Sequence, residues 1–107
     1  MKYELNYDAD ACGTSYKGQI NISYNTLVEI FGKPDPMQSD GYKTDAEWVI
    51  KFEDGSVATI YNWKDGYNYL GAEGLAVENI TDWHIGGFDN KVVDYIKDII
   101  HKHEEVE

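Results

Sequence analysis

One cysteine, two prolines and no arginine stand out as shortages in this 107-residue sequence; all nine Lys-or-Arg positions are lysine. The single Cys12 rules out an internal disulfide and a zinc site built from cysteines. The lack of arginine removes the planar fork that grips phosphate or a guanine edge through two bonds at once. Twenty Asp and Glu against nine Lys leave a net charge of −11. A general binder of duplex DNA or RNA does not carry such a balance, and neither does a protein held on an anionic membrane surface. No window approaches the ~18 apolar residues of a membrane span. The opening MKYELNYDAD lacks the apolar stretch of a signal peptide. The expected setting is therefore soluble and intracellular. The acidity favours solubility, and it leaves a basic protein as a partner of the right charge.

Chemistry-bearing motifs are equally scarce. His101 and His103 stand two apart and so point to different sides of a helix, while His84 stands alone between Trp83 and Ile85. No spacing offers the three or four convergent ligands of a metal site, and no metal or other cofactor is expected. There is no Gly-x-Ser-x-Gly elbow, P-loop or GxGxxG. Nothing motivates an enzyme.

Aromatic residues, in contrast, are abundant: nine Tyr, three Trp and three Phe. They accompany patterns that read as one α+β domain over residues 1–107. Tyr3, Leu5 and Tyr7 alternate along a terminal strand, with residues 1–13 loosely attached. Tyr16, Gly18, Ile20 and Ile22 alternate along a second strand, and the two are expected to pair as a hairpin. Ser23 is placed to cap a short helix with Leu27, Val28, Ile30 and Phe31 on its apolar stripe; Gly32 and Pro34 end it. Lys33 to Thr44 reads as a loop. From Asp45 to Lys64 the alternation is clearest, with Asp54-Gly55 as a two-residue type I′ turn. That turn sets Trp48 opposite Tyr61 and Ile50 opposite Thr59. Both hairpin faces are then partly apolar, so the face away from the helices needs a cover, a ligand or a partner chain. A further strand is expected at Tyr67–Tyr69 and another at Ile80–Ile85, broken by Gly86-Gly87. Asp89 caps a final helix with Val92, Val93, Ile96, Ile99 and Ile100 on one stripe. The acidic end, 104–107, frays. The expected architecture is a twisted antiparallel sheet of four or five strands with two helices, the longer one C-terminal.

Two stretches carry a functional expectation, YNWKDGYNY and TDWHIGGFDN. In each case the plain alternative is that the tryptophan is core, the lysine solvated and the histidine bonded to a neighbour. The sharper expectation is a ligand pocket formed by Tyr61, Trp63, Lys64, Trp83 and His84, with Asn62 and Tyr67 in support. Aromatic faces stack bases at roughly 1–3 kcal/mol each. One lysine meets a phosphate as a point charge, and Asn62 or His84 bonds to a base or sugar. Gly86-Gly87 ahead of the Asp89-capped helix adds free N–H groups for an anion.

The segments ISYNTLVEIFGKP, DGYKTDAEWVIKFEDGSVATIYNWKDGYNYLG and ITDWHIGG resemble a widespread set of small uncharacterised bacteriophage proteins. The resemblance spans roughly residues 14–100, and it implies phage origin and expression in the cytoplasm of an infected bacterium. By analogy of lifestyle it implies a counter-defence role. The leading form is a homo-oligomeric sponge for a small cyclic-nucleotide immune signal; the alternative is an acidic DNA mimic that inhibits a basic DNA-binding protein.

Overall fold

The computed structural model describes residues 2–9, 11, 13–34, 46–64 and 66–106. The chain is α+β. Its five strands are β1 (Tyr3–Leu5), β2 (Ser15–Asn21), β3 (Glu47–Phe52), β4 (Val57–Tyr61) and β5 (Asp82–Gly87), and they form one antiparallel sheet in the order β1-β3-β4-β5-β2. Helices α1 (Tyr24–Phe31) and α3 (Lys91–Val106) cover one face, and a single turn, α2 (Tyr67–Leu70), follows β4. Among the described residues no helix is long and apolar enough to cross a membrane.

Both covering helices form as their sequences demand. The Ser23 hydroxyl accepts the Thr26 N–H at 3.1 Å, satisfying an otherwise orphaned donor, and Gly32 leaves α1 at φ 90°. The Asp89 carboxylate accepts the Lys91 N–H at 2.9 Å at the start of α3. Leu27 and Phe31 of α1 and Val92 and Ile96 of α3 then bury against Trp48, Ile50, Phe52, Ala58, Ile60, Trp83 and Ile85 of the sheet. Trp48 and Trp83 are both fully buried and meet edge-to-face at 5.3 Å. The Trp48 indole donates to the Gly32 carbonyl at 2.8 Å and the Trp83 indole to the Ile80 carbonyl at 3.2 Å, so neither N–H is stranded in the core.

The central hairpin differs from the expected one by a single residue. Its loop is Glu53-Asp54-Gly55: the Gly55 N–H bonds the Phe52 carbonyl, the Phe52 N–H bonds the Ser56 carbonyl, and Gly55 takes φ 88°. This is a type I turn followed by a left-handed glycine, which needs three loop residues where type I′ needs two. Trp48 therefore faces Ile60, Val49 faces Thr59 and Glu47 faces Tyr61. A slip of one residue moves a whole strand's side chains to the other face. Ala58 and Ile60 turn to the helices, and Val57, Thr59 and Tyr61 turn away.

Three more expectations change. β1 and β2 do not pair with each other but lie at opposite edges, on β3 and β5. Tyr67–Tyr69 is helical, not a strand. Gly86 and Gly87 do not break β5; they belong to it and pair with strands on both sides. Their ladder positions remove the open anion cradle expected there. The loop expected at Lys33–Thr44 falls, from residue 35 onward, outside the described residues.

The register places Leu5, Ile50, Ala58, Gly87 and Ser15 in one row across the sheet. Leu5 and Ser15 thus stand level with each other at the two edges of the sheet. Val49 and Thr59 are 6% and 4% exposed although they point away from the helices. That half of the second face is covered by the chain itself.

Asp54 ties the hairpin tip to α3. Its carboxylate accepts the Ser56 N–H at 2.9 Å and the Tyr95 hydroxyl at 2.8 Å, with the Lys91 ammonium 3.7 Å away. The Ser56 backbone bond, then the Ser56 hydroxyl and Tyr95, hold its pKa down from 3.8 to about 2, and the same bond raises that of Tyr95. A carboxyl that is more acidic folded than unfolded contributes stability above its unfolded value and loses it as pH falls toward the folded one. Asp54→Asn is accordingly expected to flatten the fall in stability between about pH 4 and pH 2, measured by urea unfolding across that range.

Candidate functional site

The part of the second face left open lies at the other end of the sheet, where β4 runs out. Tyr61 is its last residue and pairs with His84 of β5, whose partner on β2 is Gln19. The pleat sends all three away from the helices. Gly86, one step along the same face, makes room for them. A Cβ built there would sit 2.5 Å from the Thr59 hydroxyl and 3.4 Å from the Tyr61 ring. Gly86→Ala is expected to destabilise the fold by about 1–3 kcal/mol through overpacking and to displace Tyr61. Chemical unfolding and the Tyr61 ring resonances would report the two effects.

His84 is the centre of a ring cluster. Tyr16 meets it edge-on at 4.9 Å and Tyr61 at 5.6 Å, while Trp63 lies nearly parallel to it, at 6.4 Å and 23°. Trp63 also meets Tyr61 edge-on at 6.2 Å. Polar groups fix the border. The Tyr16 hydroxyl donates to Gln19 at 2.6 Å, and the Gln19 amide donates to Asp82 at 2.9 Å. Burial, then the Glu47 carboxylate, raises the Tyr61 pKa, so its phenol stays protonated and can donate a hydrogen bond. Tyr16 is 51% exposed and Trp63 41% exposed, so the cluster presents aromatic surface to solvent.

Lys64 stands beside this surface in an unusual backbone state. It is the only non-glycine with positive φ, 62°, among the described residues. An L-residue there costs roughly 1–2 kcal/mol relative to the right-handed region. The turn directs its ammonium between two rings, 5.5 Å from the Trp63 centroid and 5.4 Å from that of Tyr69. Among the described residues the site thus has exposed rings, one imidazole and one cation.

The structure brings together Tyr61, Trp63, Lys64 and His84 of the seven residues expected from sequence. Trp83 is not with them: it lies fully buried on the helix side of the sheet, because the alternation that turns His84 outward turns Trp83 inward. Asn62 is also fully buried, and its side-chain oxygen accepts the Ala46 N–H at 3.0 Å. It closes the hairpin's open end. The side chain of Tyr67 lies outside the described ones. Tyr16, Gln19 and Tyr69 were missed. Tyr16 and Gln19 reach the site only because β2 pairs with β5, a non-local contact that local alternation does not encode; Tyr69 was visible only as one ring of an aromatic run.

The chain matches no protein-family model, no curated protein and no solved structure. The functional reading therefore rests on the residues and their geometry. What they offer is stacking for a flat ligand, hydrogen bonds from His84 and the tyrosine hydroxyls, and one point charge for an anionic group.

Proposed function

We propose that this protein is a non-enzymatic binding protein that takes the base of a small nucleotide on the Trp63–His84 surface. The observation that carries the reading is the near-parallel Trp63–His84 pair, exposed at Trp63, with the Lys64 ammonium over the Trp63 ring at 5.5 Å. A base stacks on Trp63, His84 or Tyr61 bonds to its edge, and Lys64 meets a phosphate. Asp82 and Glu47 border the same surface and repel further negative charge. A ligand with few, shielded phosphates suits the site better than a nucleoside triphosphate, and a cyclic nucleotide has that character. The resemblance to small phage proteins supports a counter-defence setting, in which the protein sequesters a cyclic-nucleotide immune signal in the bacterial cytoplasm. A second copy facing the surface would enclose the ligand, which is the form a homo-oligomeric sponge takes.

The exposed face of α3 favours this reading over an acidic DNA mimic. Lys91, Lys97 and Lys102 alternate there with Asp94, Asp98 and Glu104, and not with an unbroken row of carboxylates. A thermal-shift screen against cyclic di- and trinucleotides and ADP-ribose derivatives tests the proposal. A ligand at 100 times its Kd adds about 2.7 kcal/mol of stability. No shift across that panel would overturn the sponge reading, and salt-sensitive capture of a basic DNA-binding protein would replace it with the mimic.

A further inference from the structure

A cleft of about 320 Å³ lies on the helix side of the sheet, away from the Trp63 surface, between α1, α3 and the β1–β3 edge. Its volume falls in the range of small-ligand sites, about 300–1,000 Å³. The rings of Tyr3, Phe52 and Tyr95 and the aliphatic chain of Ile99 line it. Phe52 is 5.0 Å from Tyr95 and 6.5 Å from Tyr3, so the three rings are contiguous, and the Tyr95 hydroxyl is anchored on Asp54. Aromatic walls of this kind pack against an apolar ring or chain.

The rim is charged. Glu29 and Asp98 supply two carboxylates against one ammonium among the described residues, that of Lys102, which stands 3.1 Å from Asp98. The contact between Glu29 and His103 is long, 3.4 Å, where charge-assisted bonds close to about 2.7–2.9 Å. An entering ammonium can make the shorter bond to Glu29. The whole chain carries −11, so an anion is repelled and a cation drawn in.

We propose that this cleft is a second binding site, which takes a small aromatic or aliphatic amine in its ammonium form. The apolar part enters among Tyr3, Phe52, Tyr95 and Ile99, and the ammonium stays at the rim between Glu29 and Asp98. The proposal stands independently of the nucleotide reading, because it uses other residues on the other face of the sheet.

Calorimetric titration of the full chain with phenethylammonium, phenethyl alcohol and 3-phenylpropionate tests it. The ammonium probe should bind saturably and about tenfold or more tighter than either analogue, the scale of one charge-assisted bond. Glu29→Gln with Asp98→Asn, both at exposed positions, should remove most of that preference. Ile99→Trp should fill the cleft and abolish binding, with circular dichroism confirming the fold; Trp63→Ala should leave binding unchanged. Absence of saturable binding overturns the proposal. So does equal binding of the carboxylate, insensitivity to the rim variants, or loss of binding in Trp63→Ala.

Discussion

Trp83→Ala is expected to destabilise the protein by about 3–5 kcal/mol, the usual cost of truncating a large buried aromatic side chain. Trp83 has no exposed surface, packs edge-to-face on Trp48 at 5.3 Å and lies 6.3 Å from the Tyr24 ring. Its removal opens a cavity where α1 meets the sheet and leaves the Ile80 carbonyl without the indole donor. A small domain holds roughly 5–15 kcal/mol in total, so this loss is a large part of it. Urea unfolding should show a strongly lowered midpoint. A change under 1 kcal/mol would mean that Trp83 is not the core residue described here.

Trp63→Ala should behave in the opposite way. Trp63 is 41% exposed, beyond the end of β4, and makes ring contacts at the surface with Tyr61, His84 and Lys64. Stability should change by no more than about 1 kcal/mol, the scale of one exposed aromatic or cation–π contact. Affinity for a nucleobase ligand should fall by the value of one stacking platform, about 1–3 kcal/mol or roughly 5- to 150-fold. The two tryptophans that stand alike in the sequence, each followed by a basic or ionisable residue, are thereby assigned different roles. Calorimetry on both variants separates those roles, because only the Trp63 variant should pair normal unfolding with weakened binding.

Much of this fold was legible in the sequence. Ser23 and Gly32 marked the ends of α1, and the apolar stripe from Val92 to Ile100 marked α3, because caps and helical periodicity are local signals. The strands around Asp54-Gly55 were equally plain. Their register was not, since an Asp-Gly pair serves a two-residue loop and also ends a three-residue one, with φ 88° at Gly55 in this case. That single residue decided which face Tyr61 takes. A Gly86-Gly87 pair signals a break, but the two residues lie in a strand crowded by Thr59 on one side and Val92 on the other, where a Cβ has no room. The edges of the sheet were hidden for a different reason. β2 meets β5 across more than sixty residues of chain (Gln19 to Asp82 is 63), and nothing in either strand alone names its partner.

The candidate site was half legible for the same reasons. Tyr61, Trp63, Lys64 and His84 emerge from the two aromatic motifs, whereas Trp83 and Asn62 belong to the core beneath them. The aromatic run after β4 is therefore not one continuous platform. Its exposed rings serve the surface only with His84 and Tyr16 from neighbouring strands.

Ligand stacking at Trp63 can be read directly from tryptophan fluorescence. The chain has three tryptophans; Trp48 and Trp83 are fully buried, so Trp63 alone is open to a collisional quencher such as acrylamide. The measurement is a titration with cyclic di- and trinucleotides that follows emission and acrylamide accessibility in the wild type and in Trp63→Ala. The expected result is a saturable loss of Trp63 emission and of quencher access with one of these ligands, absent in the variant. Unchanged emission and accessibility across the series, or an identical response in Trp63→Ala, would contradict nucleotide binding at this surface.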